Sequence, residues 1–311
     1  MPAPPSPPPA PAAPPAPPQA AGAAEPLPVA VRRWYATAAR DLPWRRPGTT
    51  AWAVLVSEVM LQQTPVARVV PAYEAWLHRW PTPGALASAS PGDAVRQWGR
   101  LGYPRRALRL HAAAAAVAER HGGEVPRDLA DLLALPGVGD YTARAVASFA
   151  HGQRHAVLDT NVRRVLARAV GGASDAPPAL TAAERARAEQ LVPAEAPEAA
   201  GYAVAVMELG ALVCTARDPG CGHCPLAAGC AWLAAGRPAT PGTGRRPQAY
   251  EGTDRQARGR LLERLRTAVA PVPADRLAAA WPDEEQRDRA LAGLLADGLV
   301  VSGPAGYQLP S

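Results

Sequence analysis

The chain has no lysine. All 33 of its basic side chains are arginine, so no side-chain amine can form a Schiff base, and lysine-dependent lyase chemistry is excluded. Apolar runs are short: those such as Ala112 to Ala118 fall far below the ~20 residues that a bilayer-spanning helix needs. No charged segment followed by an apolar one opens the sequence, so no secretory signal is read and the expectation is a cytoplasmic protein with reduced thiols. Alternating apolar and polar stretches of convincing strand length are also missing, which leaves an all-α core. Cysteine is scarce, with 4 in 311 residues, and these four share one window.

That window holds Cys214, Cys221, Cys224 and Cys230, spaced C-x6-C-x2-C-x5-C. Four soft thiolates are the ligand count of a zinc site or an iron–sulfur cluster, and the same residues could form two disulfides. Zinc ribbons usually pair one short hook with another far along the chain. Here the ligands run continuously through a single loop, which suits a cubane-sized group, as in the four-cysteine sites of [4Fe–4S] proteins.

The remaining chain divides by composition. Residues 1–28 carry 13 prolines with alanine in most gaps and read as a disordered or polyproline-like tail. Residues 29–235 show apolar positions at helical spacing over 29–39, 51–62, 66–79, 91–100, 105–121, 127–134, 140–150, 159–169, 182–192 and 199–212, punctuated by Pro, Gly and capping residues. Residues 236–249 read as a linker. Residues 250–311 hold helical stretches over 254–269, 273–281 and 283–297, then two short apolar runs around a Gly303-Pro304-Ala305-Gly306 turn, a pattern of three helices and a hairpin like that of a winged helix. The net charge is +6, yet the tail and the C-terminal 62 residues each sum to −1. A polyanion-binding face therefore belongs to the middle of the chain, where a basic but ordinary solvated surface is the plainer alternative.

Three segments carry chemistry. Leu135-Pro136-Gly137-Val138-Gly139 brings backbone N–H groups to the N-terminus of the helix opening at Asp140, a ready phosphate site and equally an ordinary helical corner. Asp159 follows the apolar Ala156-Val157-Leu158 and opens a helix, as an N-cap would. Glu58 interrupts the apolar run Ala53 to Leu61 in Ser57-Glu58-Val59-Met60-Leu61-Gln62-Gln63-Thr64. Such a carboxylate either faces solvent or is tuned upward by burial, as a general acid requires.

Taken together these segments resemble helix–hairpin–helix DNA glycosylases, and the Glu58 string is similar to that of the MutY-type adenine DNA glycosylases. The resemblance covers roughly 30–235, with the Glu58 helix, Gly99-Arg100-Leu101-Gly102-Tyr103, the hairpin, Asp159 and the four cysteines in the expected order. It implies a two-lobed helical core with a [4Fe–4S] loop at 214–230, followed by the small winged-helix-like module. It also implies a monomer that binds double-stranded DNA among the nucleoid and removes adenine mispaired with 8-oxoguanine or guanine. In the family's pattern Glu58 protonates the adenine, Asp159 stabilises the sugar cation, Asn161 holds Asp159, and Tyr141 hydrogen-bonds near both. Tyr141 occupies the position at which the endonuclease III branch carries its Schiff-base lysine, which implies a monofunctional enzyme. Gln62, Gln63 and Tyr103 match residues that probe the opposing strand. Leu135, Gly137, Val138 and Gly139 form the hairpin grip, and Arg217 could meet a phosphate. A glycosylase acting on thymine opposite guanine is the rival reading. The pattern departs from the family in two respects: residues 250–311 are too short for the Nudix-like domain that recognises 8-oxoguanine, and the Pro-rich tail lies outside the family pattern.

Overall fold

The computed structural model describes residues 25–239 and 250–311. The expected tail therefore lies almost wholly outside the described residues, as does most of the expected 236–249 linker.

The described chain is helical apart from one hairpin. Helix α1 (Leu27–Ala38) is followed by α2 (Ala51–Leu61), α3 (Val66–Arg79), α4 (Pro83–Ala87), α5 (Pro91–Trp98), α6 (Arg105–Arg120), α7 (Leu129–Leu133) and α8 (Asp140–Phe149). Then come α9 (Thr160–Ala169), α10 (Ala182–Leu191), α11 (Ala196–Leu212) and the short α12 (Ala231–Ala234). Side-chain caps set many of the starts: Thr50, Ser90, Asp128, Asp159 and Thr181 each accept a hydrogen bond from a backbone N–H in the first turn that follows. Each such cap is worth about 1 kcal/mol. The expected helices at 51–62, 66–79, 105–121 and 140–150 appear within a residue or two.

These helices pack into two lobes. Helix α2 is the axis of the first, with every residue from Trp52 to Met60 buried. A helix hidden on all sides is surrounded by others, here α3, α6 and α8. Trp76 meets Trp80 and Trp98 edge-on beside it, with ring centroids 4.7 and 5.7 Å apart. The second lobe joins α1 to α9, α10 and α11 around Val31, Leu166, Tyr202 and Leu209. The chain thus enters the second lobe with α1, leaves to build all of the first, and returns with α9. A seam of Ala145, Val157 and Ala203, with Tyr141 and Met207 against it, runs between them.

The C-terminal module consists of α13 (Asp254–Thr267), α14 (Ala274–Ala278), α15 (Glu284–Ala296) and the antiparallel strands β1 (Val301–Gly303) and β2 (Gly306–Gln308). Val272 bridges to Tyr307 and adds a third strand position. The module shares its apolar core with the first lobe. Arg266 Nε donates to the Val95 carbonyl at 3.1 Å, and Arg96 Nε returns a bond to the Arg266 carbonyl at 3.0 Å. Gly92 N–H donates to the Pro310 carbonyl at 2.7 Å, an approach that a Cβ at position 92 would block. Among the described residues no helix is long and apolar enough to cross a membrane.

Candidate active site

The two lobes meet at a pair of carboxylates. Glu58 projects from α2, and only 4 % of its surface is exposed. Tyr141, in the first turn of α8, donates its hydroxyl to Glu58 Oε2 at 2.8 Å. Burial pushes the Glu58 carboxyl up to about 7; the tyrosine bond and the Arg45 guanidinium pull it down, and the negative charge of Asp159 adds to the rise. The same burial holds the Tyr141 hydroxyl well above its ordinary value, so it remains a donor.

Asp159 faces this pair from the second lobe at the head of α9. Its Oδ1 accepts from Val162 N–H at 2.6 Å, so it does cap the helix, while its Oδ2 accepts from Asn161 Nδ2 at 2.8 Å. Burial raises its pKa; the bonds from Val162 and Asn161 oppose that rise. Capping the helix and being held by Asn161 are compatible because one oxygen serves each.

Asn161 is itself held. Arg164 Nη2 donates to Asn161 Oδ1 at 2.8 Å and to the Gly210 carbonyl at 2.7 Å, while Arg164 Nε donates to the Cys214 carbonyl at 2.7 Å. A continuous set of hydrogen bonds therefore runs from the cysteine loop to Asp159. Gly210 permits the contact of α11 with α9, because a Cβ there would lie 2.8 Å from the Asn161 carbonyl oxygen.

Three charged residues near the pair were not singled out by sequence. Glu208, fully buried on α11, takes Arg40 Nε at 2.7 Å on one oxygen and Arg40 Nη2 at 2.6 Å on the other. Arg45 approaches the same carboxylate at 2.9 Å. Burial alone would raise the Glu208 pKa, and the two arginines overcome it, leaving the group ionised. The available signal was the one that exposed Glu58: Glu208 interrupts the apolar run Val206-Met207-Glu208-Leu209.

The hairpin lies between α7 and α8. Leu135 and Val138 are buried, so what this turn offers to a ligand is backbone. Gly137 adopts φ 76°, and a Cβ there would come within 2.6 Å of Arg109 Cβ. Gly139 starts α8 without a side-chain cap, which leaves the first N–H groups of that helix free for an anion.

Gln62 and Gln63 follow α2, and Tyr103 stands beside them. Gln63 (φ 55°) and Tyr103 (φ 48°) both hold left-handed backbone that side-chain-bearing residues rarely adopt. Buried Arg106 enforces this. Its fork donates to the carbonyls of Val59, Met60, Gln62 and Gly102 and to Thr64 Oγ1, tying the two loops together. Tyr103 is left 55 % exposed.

The four cysteines are half-buried along one loop, with short 3₁₀ turns at Cys221–His223 and Ala227–Gly229. Cys214 and Cys224 pack on the second lobe's core. Arg168 braces the loop through the Thr215 carbonyl at 2.7 Å and the Cys214 Sγ at 3.5 Å, with its guanidinium 4.6 Å from the Trp232 ring. Burial raises the Cys214 thiol and pushes Cys224 up to about 11. Among the described residues no three His, Cys, Asp or Glu side chains converge closely enough to hold a single metal ion. Arg217, within the loop, is exposed.

Residues 56–190 match the HhH-GPD superfamily of base excision DNA repair proteins. Over 271 residues, 86 % of this chain and 88 % of the relative, the sequence is 56 % identical to an adenine DNA glycosylase of Mycobacterium tuberculosis. The chain belongs to the adenine DNA glycosylase family. A second member, from Mycolicibacterium smegmatis, is 55 % identical over 275 residues, covering 88 % of this chain and 92 % of that one. Matches this long necessarily run into the C-terminal module, so these adenine DNA glycosylases have nearly this chain's length. The solved structure of a thermostable thymine-DNA glycosylase is similar at 27 % identity and a TM-score of 0.61, covering 67 % of this chain and 95 % of that one. About a third of this chain therefore has no counterpart in that structure.

Proposed function

We propose that the protein is a monofunctional adenine DNA glycosylase that releases adenine mispaired with 8-oxoguanine or guanine and leaves an abasic site. The observation that carries this reading is the buried Glu58, paired with Tyr141 and facing Asp159 across the lobe boundary. Chemistry on a stacked base requires its extrusion, and the seam between the lobes is the place for it. Glu58, half-protonated at neutral pH, gives its proton to a ring nitrogen of the flipped adenine. The C1′–N9 bond then breaks, its electron pair leaves with the base, and the sugar becomes oxocarbenium-like. Asp159 meets that positive charge as a carboxylate, either electrostatically or by a transient bond to C1′. Water attacks C1′, displacing Asp159 where that bond has formed, and passes its proton to the Glu58 carboxylate, which is thereby recharged. This is the two-carboxylate logic of glycoside hydrolysis applied to an N-glycoside. Asn161 and Arg164 fix Asp159, and Tyr141 orients Glu58.

Without lysine no Schiff base forms on C1′, so β-elimination does not follow base release. Cys214, Cys221, Cys224 and Cys230 would hold a [4Fe–4S] cluster. The charges of Cys214, Cys221 and Cys230 all act on Cys224, and four thiolates in one continuous loop suit a cluster. Arg164 and Arg168 would balance the anionic thiolates. The group would cross-link the loop and hold it against α9. The working form is a monomer on chromosomal DNA in the cytoplasm.

The test is single-turnover cleavage of a duplex with one adenine opposite 8-oxoguanine. Strand breaks that appear only after alkali support the proposal; breaks without alkali, or base release only from thymine opposite guanine, overturn it.

A further inference from the structure

The C-terminal module does more than cover the first lobe. Between α13 and the Gln62–Gln63 and Tyr103 loops lies a cavity of about 910 Å³. Its walls carry nine arginines against Glu263 and Asp297, although the module as a whole is slightly acidic. The acidic residues lie elsewhere, with Asp283, Glu284 and Glu285 at the head of α15. Several of the wall arginines are already engaged: Arg106 on loop carbonyls, Arg266 on Val95, and Arg105 and Arg258 on Asp297. Arg100, Arg109, Arg255 and Arg260 are exposed, and none of their guanidiniums makes a hydrogen bond or ion pair among the described residues. Arg255 lies 5.1 Å from the ring of Tyr250, which also lines the cavity and is 51 % exposed. Four free guanidiniums in one groove repel one another unless an anion joins them.

The groove is continuous with the hairpin. Arg109 lines it and also packs against Gly137. Glu58 lies one helical turn before Gln62 on α2. A base delivered to Glu58 thus leaves its vacated partner near Gln62 and Gln63, and the wall beyond them is α13.

We propose that α13 forms the second wall of the DNA-binding groove, with Arg255 and Arg260 taking phosphates of the strand opposite the extruded base. The module is then a clamp for the backbone opposite the extruded base, built on its first helix, since its third opens with carboxylates. The choice of strand rests on the adenine glycosylase reading; the clamp itself does not.

The experiment measures binding of the full-length protein to a duplex holding a tetrahydrofuran abasic analogue opposite 8-oxoguanine. That probe cannot be cleaved, so the result is independent of which base the enzyme removes. Arg255→Ala/Arg260→Ala is expected to weaken binding on the order of tenfold near 0.1 M salt, and to flatten the dependence of log K on log salt by about two. Arg289→Ala, a charge loss outside the groove, is expected to leave binding unchanged. Wild-type affinity in the double variant, or an equal loss in Arg289→Ala, overturns the clamp. Neutral methylphosphonate linkages in the opposite strand should abolish the difference between wild type and double variant. If linkages in the strand that holds the tetrahydrofuran abolish it instead, the strand assignment is wrong. Thermal melting of the double variant at the wild-type temperature shows that binding, not folding, was changed.

Discussion

The Tyr141 hydroxyl donates a 2.8 Å hydrogen bond to Glu58 Oε2. The bond favours the ionised carboxylate, so it opposes the burial that keeps Glu58 protonated. In the proposed reaction Glu58 must carry its proton to release adenine, and its carboxyl is placed at about 7. The single-turnover rate should be highest below pH 7 and fall about tenfold per unit well above it, one proton being lost. Tyr141→Phe should move that alkaline limb to higher pH, because a stabiliser of the charged form is gone. A limb that stays in place, or moves down, would show that another group sets it.

The same shift makes a prediction about stability. Glu58 titrates at 4.5 ordinarily and at about 7 in the folded protein, so above pH 4.5 the folded state binds the proton more tightly than the unfolded state. The associated stability is complete below pH 4.5 and is lost as pH rises to about 7. The 2.5-unit gap between those values corresponds to about 3 kcal/mol. Glu58→Gln, neutral throughout, should abolish excision yet unfold at equal or higher denaturant concentration than wild type at pH 8. A variant much less stable than wild type at pH 8 would contradict this.

Gly210 sets how closely α11 approaches α9. An alanine methyl there must displace Asn161, whose backbone oxygen would lie 2.8 Å away. Since Asn161 holds Asp159 Oδ2, Gly210→Ala should lower the saturating single-turnover rate at least tenfold, with DNA affinity changed far less. Equal losses in rate and affinity would point to general unfolding.

Cys224 packs on the second lobe's core and sits within the loop whose Cys214 carbonyl receives Arg164. Cys224→Ser should purify with reduced iron and sulfide, melt at lower temperature, and excise adenine more slowly even at saturating enzyme. Full activity without bound iron would remove the cysteine loop from any supporting role.

Much of this was legible in one dimension. Helix α3 appears at Val66–Arg79 as its periodicity predicts, because Pro65 precedes it and its apolar stripe is regular. Asp159, Tyr141 and Glu58 were visible as chemistry placed where a cap, a hairpin and an apolar helix should be. What could not be read were contacts made across long stretches of chain. Nothing near Arg40 announces Glu208, 168 residues away, and nothing in Arg106 foretells the carbonyls it collects. Helix α4 was missed because five residues are too few to show a period. The arginines of α13 acquire meaning only opposite Tyr103.

The path of the chain through the two lobes imposes an order on synthesis. Helices α2 to α8 are contiguous, so the first lobe can collapse while translation continues. Helix α1 emerges first, yet its partner α11 emerges last among the core's long helices. Until then Val31 and its apolar neighbours stay uncovered, and Arg40 waits for its carboxylate. The nascent protein therefore carries an open hydrophobic face for most of its elongation, the kind of surface that chaperones bind. Closure of that face comes just before the cysteine loop emerges, so completion of the second lobe and delivery of the four thiols fall at nearly the same moment on the ribosome.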